Sequence, residues 1–286
     1  MKPHHYGPFE YSAIIDRKPL KWPNGARIAL IVAPNIEYFH LNQKLQNINA
    51  PNVPDWSVRD YGNRVAVFRM MDVFDKHGLR ATVCLNSDVC KYLPRIIEEG
   101  EKRKWEWMGH GTTNSLYPSD LPRAEQKAMI ADCLSTIEKS TGRRPKGWLG
   151  PGLRENWDTL DILAEEGIEY VCDWVNDDQP VQMTLESGRK ITAVQYALEL
   201  NDLPVFVRKN HTPEQFGDMI RRTFDVLYRE AEHTAKVMTI ALHPYLSGLP
   251  HRIDALDKAL EYICGHDKVW RATGIEVVEA HRAQLP

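Results

Sequence analysis

The sequence predicts an α/β fold built on a parallel sheet that curls toward a barrel, and three observations predict it. Short apolar runs at 27–34, 81–85, 105–108, 147–149, 170–172, 237–242 and 269–272 alternate with stretches of helical spacing, the pattern of βαβ units. The polar clusters fit for chemistry follow those runs directly. That places them at the carboxyl ends of strands, the edge at which parallel α/β sheets and barrels hold their active sites. The length of 286 residues suits one such barrel, which typically takes roughly 250 residues.

Each element has its own signal. Residues 1–25 are rich in Pro, His and Tyr without periodicity and read as an extended arm, leaving 26–286 as a single barrel domain. The Trp-Pro-Asn-Gly at 22–25 marks a turn before the first strand. Residues 38–57 are polar and irregular and read as a long loop able to cover a site. Apolar residues Val65, Phe68, Met71, Val73 and Phe74 recur at helical spacing, and Gly78 closes that helix. Further helices are predicted over 93–99, 120–141, 156–166, 212–232 and 254–264.

Bulk properties exclude several classes. With 36 basic and 39 acidic residues the formal charge is -3, and no basic stripe suggests nucleic acid. Cys84, Cys90, Cys133, Cys172 and Cys264 form no Cys-x-x-Cys pair and are odd in number, which argues against a disulfide framework or a thiolate zinc site. No window approaches the length of a membrane span and the first ten residues are polar. The expectation is a cytoplasmic protein that acts on a small molecule, with no membrane or nucleic-acid partner, and forms a homo-oligomer, its arm being able to pack on a neighbour.

Four strand ends carry the candidate chemistry: Asn35-Ile36-Glu37-Tyr38, His110 to Asn114, Asp173-Trp174 with Asp177-Asp178 nearby, and Leu242-His243-Pro244-Tyr245. A carboxylate, two histidines and a further aspartate converge only if the strand ends do. Together they can supply a general base, a general acid and a polariser for an amide carbonyl. Each also has a plainer reading: an exposed loop acid at Glu37, a buried histidine bonded to a carbonyl at His110, a turn residue at Asn114, a strand-terminal histidine at His243.

In this order the motifs resemble the polysaccharide deacetylases of carbohydrate esterase family 4. The matching elements are Asn35-Ile36-Glu37 for the acidic pair, His110 to Asn114 for the His-x-x-x-His segment, Gly147-Trp148-Leu149-Gly150-Pro151-Gly152, Asp173-Trp174, and Leu242-His243. The tighter likeness is to the branch of cofactor-free allantoinases and cyclic-imide hydrolases. It rests on Arg59-Asp60-Tyr61-Gly62, Glu199-Leu200-Asn201-Asp202 and His243-Pro244-Tyr245 followed by Gly248, Pro250, His251 and Arg252. The resemblance implies a distorted deacetylase-type barrel and hydrolysis of a carbon–nitrogen bond.

Deacetylases of the family hold a divalent metal, often zinc, with one Asp and two His. Here Asn114 stands at the second His, and Glu37 aligns with either the metal-binding or the base position, leaving Asn35 or Tyr38 in the other slot. No cofactor is the favoured reading; if a metal binds, Glu37, His110 and Asn114 are its candidates, with His40 as a possible recruit. The roles expected are Glu37 activating water, and His243, oriented by Asp173, protonating the leaving nitrogen. His110 and Asn114 would polarise the carbonyl. Asn35, Tyr61, Asn114, Trp148, Pro151, Gly152 and Trp174 would contact substrate, the two tryptophans as apolar walls of a small covered pocket. A cyclic ureide or imide is the expected substrate. The alternatives are an N-acetylated sugar, processed with a metal, and a ligand-binding protein without turnover.

Overall fold

The structure, a computed structural model, describes residues 6–41 and 51–285. All of the expected strands are present, within about two residues at each end. They are β1 (Ile28–Ile36), β2 (Thr82–Leu85), β3 (Glu106–Gly109), β4 (Gly147–Trp148), β5 (Tyr170–Val171), β8 (Lys236–Leu242) and β9 (Val269–Arg271). A hairpin of β6 (Val181–Thr184) and β7 (Lys190–Ala193) was not anticipated; each strand is too short for its alternation to stand out, and the turn between them uses Gly188 at φ 77°. The order is β6-β7-β5-β4-β3-β2-β1-β8, with β9 also on β1, and every pair except β6–β7 is parallel. The curl is completed where Asn201 bridges Ala241 and Val237 donates to the Asp178 carbonyl at 2.8 Å. β1 is buried along its whole length, which is why it reads as a continuous apolar run rather than an alternation.

The register sets the active edge. Pro34 lies opposite Leu242, so Asn35 and Glu37 emerge beside His243. Ile36 pairs with Leu85, Leu85 with Gly109, and Gly109 with Trp148. Glu37, Asn86, His110 and Leu149 therefore leave the sheet at one level.

Helices α2 (Val67–Lys76), α4 (Pro94–Lys102), α5 (Arg123–Thr141), α6 (Thr159–Glu165), α7 (Pro213–Glu230) and α9 (Pro250–Cys264) pack around this sheet near their expected positions. α3 (Ser87–Tyr92), α8 (Pro244–Ser247) and α10 (Gly274–Arg282) are additional. The expected loop at 38–57 is corrected in part. Residues 42–50 lie outside the described residues, but α1 (Val53–Tyr61) begins inside that span, capped by the Asn52 side chain. A π-helical turn, Gly62–Ala66, joins α1 to α2. There a Cβ on Gly62 would fall 2.8 Å from the Tyr245 backbone nitrogen, so only glycine lets this turn press against α8.

The described part of the arm crosses the body. Thr184 donates to the Pro8 carbonyl at 2.9 Å, Arg17 pairs with Asp177 at 2.6 Å, and Trp22 donates to the Lys236 carbonyl at 2.8 Å.

Candidate active site

Glu37 is the centre of the site. Its side chain is 8% exposed, and its two carboxylate oxygens have different surroundings. Oε1 accepts a hydrogen bond from Asn114 Nδ2 and is faced by His110 Nε2 at 3.5 Å and His243 Nε2 at 3.8 Å. Oε2 accepts no hydrogen bond among the described residues and faces Arg59 Nη1 at 3.8 Å. Burial alone would raise this carboxyl, but His110, His243 and Arg59 outweigh it and hold Glu37 below the ordinary glutamate value. The group stands as a carboxylate.

A chain of hydrogen bonds fixes which way Asn114 points. The Tyr38 backbone N–H can only donate, and it reaches Asn86 Oδ1 at 2.9 Å. Asn86 Nδ2 must then donate, and it does so to the His110 carbonyl and to Asn114 Oδ1 at 3.0 Å. The Asn114 oxygen is thereby occupied, and its NH₂ is turned to Glu37. Asn86, wholly buried at the end of β2, was not anticipated as a site residue.

His243 is held by Asp202. Asp202 Oδ1 meets His243 Nδ1 at 2.6 Å, while Oδ2 accepts from the His243 backbone N–H at 2.7 Å and from Ser247 Oγ at 2.6 Å. The Nδ1 proton is therefore on the aspartate side and Nε2 is aimed at Glu37. Burial lowers the affinity of this ring for a second proton. Asp202, by charge and hydrogen bond, and Glu37 reverse that, so His243 ends above the ordinary histidine value. His110 has a different anchor: Nδ1 lies 2.7 Å from the Leu149 carbonyl oxygen, which can only accept.

This corrects the expected role of Asp173, whose Oδ1 accepts from the Gly150 N–H at 2.8 Å and not from a histidine. Asp173 Oδ2 and Glu155 Oε1 are buried without a hydrogen-bond partner among the described residues. Burial pushes Asp173 up to about 7 and Glu155 well above the carboxylate range.

The other expected contacts divide. Asn35 is buried beneath Glu37, donating to the Leu242 carbonyl at 3.1 Å and to Tyr196 Oη. The Tyr61 hydroxyl lies 3.5 Å from Arg69, and no contact with Glu37 is present. Trp148 is not a pocket wall: it is core, packed so closely over Gly109 that a Cβ there would lie 2.7 Å from its ring. Pro151 is buried over Gly111, and Gly152 takes φ 67° in the following turn. Trp174 donates to Glu155 at 3.1 Å and meets Phe9 of the arm edge-on at 5.7 Å. Both Asp177 and Asp178 are structural, paired with Arg17 and Lys236.

Arg59, which the sequence presents only within its Arg-Asp-Tyr-Gly motif, faces the site. Its guanidinium carbon sits 3.9 Å from the Phe39 ring centroid and 4.8 Å from that of Tyr245. Nε reaches Asp55 at 3.1 Å and Nη1 reaches Tyr245 Oη at 3.2 Å.

A groove of about 1640 Å³ runs between the arm and residues 174–184, with Trp174 and Gln195 on its wall. None of Glu37, His110, Asn114 or His243 lines it. The groove is therefore not the small covered pocket expected at the strand ends.

Residues 58–171 match the family model described as polysaccharide deacetylase. A putative polysaccharide deacetylase of Schizosaccharomyces pombe is 26% identical, with 95% of each chain covered. A peptidoglycan deacetylase of Helicobacter pylori is 23% identical over 77% of this chain and 84% of the relative. Among solved structures, a probable polysaccharide deacetylase from Pseudomonas aeruginosa PAO1 matches at TM-score 0.84 and 26% identity, covering 93% of this chain and 94% of that one. PuuE allantoinase matches at TM-score 0.86 and 26% identity, covering 95% of both. These relatives and solved structures are named as deacetylases and an allantoinase.

Deacetylases of this superfamily commonly use a divalent metal. The residues at the corresponding positions here do not fit one. Asn114 offers N–H groups where a ligand must offer a lone pair, and its oxygen is occupied by Asn86. That leaves Glu37 and His110, short of the three protein ligands a catalytic zinc takes. Among the described residues no group of three His, Cys, Asp or Glu side chains is arranged to hold a metal ion.

Proposed function

We propose that this chain hydrolyses the carbon–nitrogen bond of a small cyclic ureide or imide without a metal. Glu37 is the general base and His243, held by Asp202, the general acid. The observation that carries this reading is the orientation of Asn114, which replaces a metal lone pair with a donor that holds the Glu37 carboxylate in place. The environments then separate the two titrating groups: Glu37 is pushed down and His243 up. That separation marks a base and an acid at one pH. Glu37 Oε2, which has no protein donor among the described residues, is the position for the attacking water. The burial of Glu37, His110 and His243 suits a small planar substrate, because a water-poor site strengthens each polar contact.

A second reading, an N-deacetylase of an acetylated sugar, is favoured by the names of the curated relatives, which are deacetylases. Assays with hydantoin, allantoin and succinimide, run beside N-acetylglucosamine oligomers with and without added zinc, separate the two. Ring opening is expected in metal-free buffer. Acetate release that needs zinc, with no ring opening, would replace the cyclic-amide reading. Turnover of neither class would leave a ligand-binding protein.

A further inference from the structure

A hydrolase must stabilise the negative charge that builds on the carbonyl oxygen as water attacks. Of the groups first expected to do so, Asn114 has its NH₂ directed at Glu37, and His110 has its Nδ1 proton committed to the Leu149 carbonyl. One Asn114 N–H and the His110 Nδ1–H are thus already committed. His243 is reserved for the leaving nitrogen. One fixed cation remains at Glu37, the Arg59 guanidinium, 3.8 Å from the bare oxygen Oε2. Its guanidinium carbon lies over the Phe39 ring and near the Tyr245 ring. Its Nε and one Nη1 proton are used by Asp55 and Tyr245, and Nη2 meets no protein acceptor among the described residues.

We infer that Arg59 is a catalytic residue of this site, holding the carbonyl oxygen of the substrate and the carboxylate of the ring-opened product. The inference rests on the proposed cyclic-amide hydrolysis and assigns the polarising role which that reading leaves open. Water on Glu37 Oε2 attacks the carbonyl carbon. The new C–O bond forms, the water proton passes to Glu37, and the carbonyl π pair moves onto the oxygen beside Arg59. As that oxygen re-forms its double bond, the C–N bond breaks and the nitrogen takes the proton of His243. The product acid gives its proton to His243, the Glu37 proton leaves to solvent, and one water has been consumed. The product anion then lies against the guanidinium, which matches a carboxylate in geometry as an ammonium does not. The Phe39 and Tyr245 rings, with the hydrogen bonds to Asp55 and Tyr245, restrain that fork before substrate arrives.

The test combines turnover with binding. Arg59→Met should lower kcat on succinimide by about 10²–10³-fold, the scale seen when one oxyanion donor is removed. Arg59→Lys, which keeps the charge and loses the fork, should fall between the two. Free guanidinium should restore part of the activity of Arg59→Ala. Independently of turnover, calorimetry with succinamate, the half-amide carboxylate formed from succinimide, should show binding by the wild type that weakens at least about tenfold in Arg59→Met, the loss of one charge-assisted contact. Unchanged succinamate affinity in Arg59→Met, or no binding by the folded wild type, overturns the role of Arg59. A wild type that binds succinamate through Arg59 yet opens no cyclic amide keeps the anion site and removes the cyclic-amide reading instead. Thermal melts of the wild type and of each Arg59 variant separate loss of the site from loss of the fold.

Discussion

Asp202 and Asp173 are both buried aspartates near the active edge of the sheet, and they live in opposite conditions. Asp202 is wholly buried, yet its oxygens meet a backbone N–H, an imidazole N–H and a hydroxyl. Asp173 has one backbone N–H, an oxygen with no donor, and a neighbouring glutamate; it is pushed up to about 7. Burial disfavours charge at both places. What differs is the supply of donors, and that decides which aspartate can serve as a charged partner for a catalytic histidine.

The largest effects should come from the side of the site that Asp202 supports. Glu37→Gln and His243→Ala should each reduce kcat by about 10²-fold or more, as removal of a general base or acid does. Turnover near the wild-type level in either variant would remove that residue from the mechanism.

Asp202→Asn keeps the shape and removes the charge. His243 then loses the main cause of its raised value. The high-pH limb of kcat/KM should move to lower pH by at least about one unit, with kcat at neutral pH falling by about tenfold or more. A limb that stays in place would show that another group titrates there. Asp202→Ala, which strands a buried histidine and Ser247, should cost about 3 kcal/mol or more in denaturant unfolding.

Asp173 should act on stability rather than rate, with a definite sign. Its folded value lies above the unfolded one, so from about pH 4 to pH 7 the native state holds a proton that the unfolded chain has released. Stability should therefore fall as pH rises through that window, and Asp173→Asn should flatten the fall. Glu37 has the opposite sign: its stabilisation is present above the ordinary glutamate value and is lost as pH falls through its depressed one. Urea midpoints at pH 5 and pH 7 for wild type and Asp173→Asn measure the contrast; parallel changes in both proteins would show that Asp173 holds no excess proton in the native state.

The smallest effect expected is that of a chelator. Ring opening should persist after exhaustive zinc removal, because Asn114 presents a donor to Glu37. Full loss, restored by one equivalent of zinc, would show that Asn86 and Asn114 can both reverse.

Much of this was legible in the residues. The strands of the barrel are apolar runs closed by polar residues, and Glu37 and His243 stand out because each follows such a run. Asp202 was harder to place. It lies 41 residues before His243, and the two meet where the isolated Asn201–Ala241 bridge sets Asp202 beside the end of β8. Its Glu-Leu-Asn-Asp context suggested a family, not a partner. Arg59 was obscured because a helix, α1, begins within residues that looked like a polar loop. Trp148 misled for a geometric reason: a tryptophan beside a Gly-Pro turn resembles a pocket wall, but a strand alternates its side chains, and this one points into the core over Gly109.

The position of β1 has a consequence for how the protein is made. β1 comes early in the chain, yet along most of its length it pairs with β8 and β9, which are synthesised near the end. At translation rates of about 5–20 residues per second, the roughly 200 residues between β1 and β8 take on the order of 10–40 seconds. For that time the most apolar strand of the barrel has an open side on the ribosome, where a chaperone or another nascent chain can reach it. Nascent chains stalled before β8 should leave β1 open to protease, and released full-length chains should protect it. Equal protection in both would show that another segment shields β1 until β8 arrives.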